Sequence, residues 1–351
     1  MTKTILPAFL SVQGYRLSDD EKRLFEQSNP LGVCLFAKSC NNVQNKEQLK
    51  SLCREIKETI GRNDVLIAID QEGGRVRRLT EPEFTPLTEQ AALLTPELAR
   101  IHAFLAAYDL KNCGININFA PVLDICYPFS SNVLKGRCFS GDEKNIAEQG
   151  KAMVDEYLAN GICPCIKHLP GHGRAKADPH LELPVIDDDF ETLRQDFYPF
   201  KKLSYAPMGM AAHLLLTKID SSNPSSESPI VIQKIIRQFI GFSGFLVSDA
   251  IVMQALKGSI VERAQRSLAA GCDAVCLGNA GYEANSELAA GKIAMSDKAL
   301  ERLQKISEII SKPLSVQSYE QQKNKYCAAL KNIISYNLEY DATEILSRIR
   351  K

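Results

Sequence analysis

The sequence has no surplus of charge of either sign: 42 Lys and Arg residues stand against 42 Asp and Glu. A binder of nucleic acid or of an anionic membrane needs a basic surplus to collect phosphates, so neither partner is expected. No run approaches the ~20 apolar residues that a bilayer core demands, so no spanning helix is expected either. The opening MTKTILPAFLSVQG is short in apolar length, broken by Pro7 and without a small-residue cleavage site, so no secretory leader is expected. Cysteine is plentiful, at 11 residues, but the number is odd and the positions have no framework spacing. That reads as reduced thiols of a cytoplasmic protein and not as a disulfide scaffold. Histidine is scarce, at five residues, so any clustering of histidines carries weight. No repeat longer than a strand–helix unit and no low-complexity tract is present.

What is present is a globular composition, 45% hydrophobic and 24% charged, sufficient for a sizeable core. A length of 351 residues fits two modest domains or one α/β barrel with insertions, since such barrels run to about 250 residues or more. The apolar pattern favours the barrel. Short runs with β-branched residues recur at 7–13, 31–37, 64–70, 115–124, 162–168, 208–216, 244–249 and 273–278, each followed by helical periodicity. The helices carry their own punctuation. Ser18 and Glu21 form a capping box. Leu49, Leu52, Ile56 and Ile60 share a stripe closed by Gly61, and Thr95 with Pro96 supplies an N-cap and first-turn pair. Eight strands alternating with helices close most simply into a (β/α)8 TIM barrel over about residues 5–285, an open doubly wound sheet being the alternative. From about 286 to 351 the text is amphipathic, as in LERLQKISEII and CAALKNIISYNL. It predicts extra C-terminal helices packed on a single barrel domain.

Catalytic groups of a barrel stand at the C-terminal ends of its strands. There the sequence places Asp70 after the third strand, Asp124 after the fourth, Lys167 and His168 after the fifth, His213 after the sixth and Asp249 after the seventh. An Asp after a strand also caps helices, so each position alone is ambiguous; the set points to one polar mouth. Three of the five histidines, His168, His172 and His180, fall in KHLPGHGRAKADPH, whereas His102 sits within a helix and reads as a core or surface histidine.

Two chemistries use such a cluster. A zinc site would draw on Cys163, Cys165, His168, His172 and His180. Against it, Cys163 and Cys165 alternate with apolar residues in a strand and have no second matched pair, which favours buried thiols. The other chemistry is acid/base and nucleophilic. Asp178 and His180, two apart in a loop, can pair so that the carboxylate orients the imidazole, leaving Asp249 on another strand free to attack. A solvated loop pair is the plain alternative. Gly171 and Gly173 can serve as hinges of that loop or simply as tight-turn residues.

The segments IAIDQEGGRVRRL (67–79), NFAPVLDI (118–125), KHLPGHGRAKADPHLELP (167–184) and VSDAIVMQAL (247–256) resemble, in consistent order over roughly residues 5–280, the bacterial β-N-acetylglucosaminidases of glycoside hydrolase family 3. The resemblance implies a (β/α)8 barrel and a cofactor-free, metal-free hydrolase that acts as a monomer on a small saccharide. It implies Asp249 as nucleophile, His180 as proton donor and acceptor, and Asp178 as its orienting partner. It further implies that Asp70, Arg78, Arg137, Lys167 and His168 hold a terminal N-acetylglucosamine. The implied reaction is retaining double displacement, and the implied substrate is a peptidoglycan-derived muropeptide in which N-acetylglucosamine is joined to an anhydro-muramyl sugar. Ala250 after Asp249 and Cys138 after Arg137 depart from the family pattern, and neither is expected to touch a catalytic group. A phosphorylase using the same site, and a sugar- or metal-binding barrel without turnover, are the rival readings.

Overall fold

A computed structural model describes residues 4–37 and 39–330. Its strands are β1 (Leu6–Ser11), β2 (Pro30–Leu35), β3 (Leu66–Ile69), β4 (Ile117–Asn118), β5 (Cys163–Leu169), β6 (Val185–Ile186), β7 (Met208–Ala211), β8 (Leu215–Leu216), β9 (Phe245–Ala250) and β10 (Ala274–Cys276). Eight of them close a parallel barrel in the order β1, β10, β9, β7, β5, β4, β3, β2. The expected (β/α)8 TIM barrel is therefore present, and all eight expected strands lie within it. Their residues are buried almost throughout, as strands covered by helices on the outside and filled within must be.

The helix starts and stops follow the local chemistry read from the sequence. Ser18 and Glu21 complete the capping box before the helix Asp19–Ser28. Gly61 ends the helix Lys46–Ile60 in the left-handed region, at φ 75°. Thr95 caps the helix Pro96–Asn112, with Pro96 in its first turn.

Two strand expectations need correction. The run 115–124 keeps only Ile117–Asn118 as regular ladder; beyond it the contact with β5 continues as single bonds around Pro121, which has no amide to donate, with the Cys165 amide on the Ala120 carbonyl at 3.1 Å, the Lys167 amide on the Pro121 carbonyl at 3.2 Å and the Leu123 amide on the Lys167 carbonyl at 2.7 Å. The run 208–216 divides into β7 and β8, and β8 leaves the barrel to pair with β6 in a two-stranded sheet, Val185 opposite Leu215 and Ile186 opposite Leu216. Nothing in the apolar pattern distinguished that small sheet.

The C-terminal expectation holds for the helices Asp297–Ile310 and Tyr319–Leu330; the remainder, 331–351, lies outside the described residues. The helix Tyr319–Leu330 is tied to the barrel by a chain of buried hydrogen bonds. The Thr88 amide donates to the Tyr326 hydroxyl at 2.9 Å, that hydroxyl meets His102 Nδ1 at 2.8 Å, and His102 Nε2 meets the Glu72 carbonyl at 3.0 Å. A carbonyl only accepts, so Nε2 carries the hydrogen and Nδ1 takes the tyrosine proton. His102 is thus a core histidine, as expected, kept neutral by burial that pushes its pKa down to about 4. Among the described residues no helix is long and apolar enough to cross a membrane.

Candidate active site

The strand period of two decides which residues enter the barrel. Leu66 and Ala68 of β3, Cys163 and Cys165 of β5, and Phe245 and Val247 of β9 form one interior cluster, while Ile67, Ile69, Ile166 and Leu246 face the helices. Continuing each inward series by one step at the C-terminal end gives Asp70, Lys167 and Asp249. The same alternation that packs the barrel therefore delivers a carboxylate, an ammonium and a second carboxylate to its mouth.

Asp70, Lys167 and Arg137 meet in a buried ionic network together with Glu72, one further step along the β3 series. Lys167 Nζ lies 2.8 Å from Asp70 Oδ1 and 2.6 Å from Glu72 Oε1. Arg137 grips Glu72 with a two-pronged pair, Nε to Oε2 and Nη2 to Oε1, each 2.8 Å. Burial alone would push the Glu72 pKa up, but the Arg137 and Lys167 cations more than offset it and hold the carboxyl far below the usual range. For Lys167, burial is likewise outweighed by Asp70 and Glu72, which raise its pKa and keep it charged. Arg78 reaches Asp70 Oδ2 at 3.5 Å, and its guanidinium lies over the Phe36 ring, 5.1 Å from the centroid.

His168 is fixed from both sides. Its Nδ1 lies 2.6 Å from Asp124 Oδ2 and its Nε2 is 3.4 Å from Arg137 Nη2. Because carboxylates accept and guanidinium donates, Nδ1 carries the hydrogen. Asp124 also accepts the His172 amide at 2.6 Å. The His172 ring stands edge-on to that of His168 with centroids 5.8 Å apart, and its two buried nitrogens have no hydrogen-bond partner among the described residues. His213 instead bonds Ser226 Oγ at 2.7 Å and the Ala250 carbonyl at 3.2 Å, so it supports β9 from outside the pocket.

Asp178 and His180 do pair. Asp178 Oδ1 accepts from His180 Nδ1 at 2.6 Å and from the His180 amide at 3.0 Å. The loop pair is not solvated in the sense of the plain alternative, since His180 is buried. Burial raises the Asp178 pKa, but the hydrogen bond and charge of His180 bring the net displacement downward. With Nδ1 committed to Asp178, Nε2 is the nitrogen left for a reacting group. The Ala255 amide donates to the Pro179 carbonyl at 3.3 Å, which holds this loop against the segment that follows β9. Gly173 is required for close packing: a Cβ there would stand 2.1 Å from the Ile125 carbonyl oxygen. A Cβ on Gly171 would stand 3.1 Å from Asp196 Cβ. At both positions a side chain would press on neighbouring residues, a close-approach role that the hinge and tight-turn readings did not include.

These groups line one pocket of about 640 Å³, including its open mouth. Asp70, Arg137, Lys167, His168, His180 and Asp249 face it, with Phe36, Phe119, Met210 and Met253 among its apolar walls. Its size and its few converging polar groups suit a small polar ligand. Asp249 accepts the Ala250 amide at 2.7 Å, so Ala250, which also lines the pocket, does touch a proposed catalytic group through its backbone, contrary to expectation. Burial raises the Asp249 pKa, but the electrostatic influence of His168 and His213, the hydrogen bond from the Ala250 amide and the influence of His180 outweigh it and bring the net displacement downward.

Of the residues singled out in the sequence, Asp70, Arg137, Lys167, His168, His180 and Asp249 line this pocket, while Arg78 and Asp178 lie behind it, bonded to Asp70 and His180; Glu72, which the sequence reading missed, had only its parity with Asp70 as a signal. The zinc alternative does not assemble. Cys163 and Cys165 sit in the barrel interior with thiol pKa values driven up by burial, and among the described residues no three His, Cys, Asp or Glu side chains gather as a cage.

Comparison with known proteins agrees with this geometry. Residues 6–306 match the glycosyl hydrolase family 3 N-terminal domain. The β-hexosaminidase of Bordetella avium is 32% identical over 321 residues, 88% of this chain and 89% of that protein. The β-hexosaminidase of Thiobacillus denitrificans is 36% identical over 288 residues, covering 77% of each. Among solved structures, NagZ from Neisseria gonorrhoeae in complex with N-trifluoroacetyl-D-glucosamine superposes with a TM-score of 0.80 at 29% identity, over 93% of this chain and 98% of that one. With a barrel whose inward series end in Asp70, Lys167 and Asp249, and with relatives of matching length, the chain belongs to glycosyl hydrolase family 3 and is a glycoside hydrolase.

Proposed function

We propose that this chain, as one barrel domain, removes terminal non-reducing β-linked N-acetylglucosamine from a saccharide by retaining double displacement. The observation that carries the reading is the pairing of two separate units over one pocket: an ionised carboxylate, Asp249, and an imidazole, His180, whose Nδ1 is occupied by Asp178. Asp249 attacks the anomeric carbon while His180 Nε2 gives its proton to the departing glycosidic oxygen; His180 then takes a proton from water as that water breaks the bond between sugar and Asp249. Asp178 keeps the imidazole in one tautomer and orientation and stabilises its charged form. Asp70, Arg78, Arg137, Lys167 and His168 hold the sugar hydroxyls. The Arg137 fork and the Lys167 ammonium provide directed donors whose own charges are already balanced by Glu72 and Asp70.

The substrate within this reading is a muropeptide of cytoplasmic cell-wall recycling, carrying N-acetylglucosamine on an anhydro-muramyl sugar. It is supported by the likeness to β-hexosaminidases and to a structure bound to an N-acylated glucosamine. The experiment compares release of nitrophenol from the N-acetyl-β-glucosaminide and from the plain β-glucoside, by wild type and Asp249→Ala, with and without phosphate. Turnover of the acetamido substrate alone, abolished in the variant and indifferent to phosphate, is expected. Acceleration by phosphate would instead establish the phosphorylase, and binding without turnover by folded wild type would establish a sugar-binding barrel.

A further inference from the structure

The glycosidase reading gives no role to His172. This residue lines the same pocket as His168, His180 and Asp249, is only 2% exposed, and has both ring nitrogens buried without a hydrogen-bond partner among the described residues. The other four histidines are engaged: His102, His168, His180 and His213 each have a ring nitrogen bonded to another group of the protein. A buried polar atom that has given up water and gained nothing costs about as much as a lost hydrogen bond, so a stranded imidazole in a binding pocket points to a partner from outside the chain.

The backbone leaves the ring little freedom to find a partner within the chain. The His172 amide donates to Asp124 Oδ1 at 2.6 Å, and the His172 carbonyl accepts the Ala175 amide at 3.0 Å. Gly173, the next residue, is pressed against the Ile125 carbonyl. On its other side the ring meets the edge of His168, which is itself held by Asp124 Oδ2. One buried carboxylate thus anchors both histidines, His168 through its ring and His172 through its backbone, and the His172 ring stays at the pocket wall.

Burial lowers the His172 pKa to about 4, so near pH 7 the ring is neutral and carries one N–H donor and one bare acceptor nitrogen. A carboxylate or a phosphate only accepts and an ammonium only donates, whereas a sugar hydroxyl does both and can serve whichever nitrogen it meets. We propose that His172 is a further sugar-binding residue, hydrogen-bonded through its ring to one hydroxyl of the terminal sugar. The correct sugar then satisfies a polar group that the protein alone leaves unmet, and a sugar lacking that hydroxyl leaves it stranded. His172 therefore selects among sugars as well as adding affinity.

This role rests on the N-acetylglucosaminidase reading, and the test keeps the two failures apart. Wild type and His172→Leu are compared on the nitrophenyl N-acetyl-β-glucosaminide and on its analogues lacking the hydroxyl at C3, C4 or C6, with Tm measured alongside. On the parent sugar His172→Leu is expected to raise KM roughly tenfold while kcat falls less, since the contact is made in ground and transition states alike. Tm is expected to hold or rise, because an apolar side chain replaces a buried group without a partner. For one deoxy analogue the penalty is expected to vanish: wild type handles it roughly tenfold worse than the parent, and the variant handles it no worse than wild type does. A residue that merely supported the fold would lower Tm and penalise all four sugars alike. His172→Ala, which cannot block the pocket, repeats the series should leucine disturb the packing. An unchanged KM, or the same penalty on all four sugars, would overturn the proposal and leave the glycosidase reading intact; wild type that neither binds nor cleaves the acetamido sugar would overturn both.

Discussion

The two halves of the site are built differently. On the strand-end half, Asp70, Glu72, Arg137 and Lys167 are buried, and every charge has a partner within 2.8 Å. On the loop half, His180 has one side-chain partner, Asp178, and its other nitrogen is uncommitted. The first half is organised before substrate arrives, its desolvation offset by pairing, as suits groups that only hold a sugar. The second must give up a proton and recover it, so it is anchored at one end alone. A substitution should therefore cost rate on the loop half and binding and stability on the strand-end half.

The sharpest separation is expected from His180→Ala. Loss of acid/base assistance should lower kcat by about 10² to 10⁴ while leaving Tm close to wild type. With an activated leaving group such as dinitrophenol, which needs no proton to depart, the first step should recover, visible as a burst followed by slow release. A large drop in Tm for this variant would break the comparison.

Arg137→Ala should do the reverse. Among the described residues it leaves Glu72 paired with Lys167 alone, and removing one member of a buried ionic set typically costs about 3–5 kcal/mol. Chemical denaturation should show that loss together with a raised KM, and Glu72→Gln combined with Arg137→Met should restore much of the stability but not the binding.

A smaller effect lies in the pH dependence of stability. His102 and His172 have folded-state pKa values of about 4, lowered by burial from 6.5. Below 6.5 the unfolded chain takes up protons that the folded one refuses, so stability is full above that pH and is lost as pH falls from 6.5 towards 4. Each histidine contributes about 3 kcal/mol over that window. Glu72, with its lowered pKa, has its contribution intact above the usual carboxylate range and loses it only at lower pH still. Denaturation midpoints from pH 8 to 4 should therefore fall before carboxylates titrate, and His102→Asn should flatten that slope. A pH-independent midpoint down to 5 would contradict the buried neutral histidines.

The barrel was legible because continuous apolar runs, caps and glycine stops all agree, and the strand ends gave Asp70, Lys167, His168 and Asp249 directly. Roles for Asp178 and His180 came from two-residue spacing and family resemblance, since no periodicity governs a loop. Glu72 escaped because it lies past the strand in a glycine-rich turn, where inward parity continues without an apolar run to mark it. The β6–β8 pair escaped because two-residue strands carry no alternation to read. The Tyr326–His102–Glu72 connection joins residues hundreds of positions apart, a relation that only the folded chain displays.

The measurement that bears most directly on the account is covalent trapping of the glycosyl-enzyme. Wild type and Asp249→Ala are incubated with a 5-fluoro N-acetylglucosaminyl donor bearing an activated leaving group, digested and analysed by mass spectrometry. A fluorosugar adduct on the peptide holding Asp249, absent in the variant, is the predicted result. Turnover of the donor by wild type with that peptide unmodified, or an adduct on another carboxylate, would contradict Asp249 as the nucleophile.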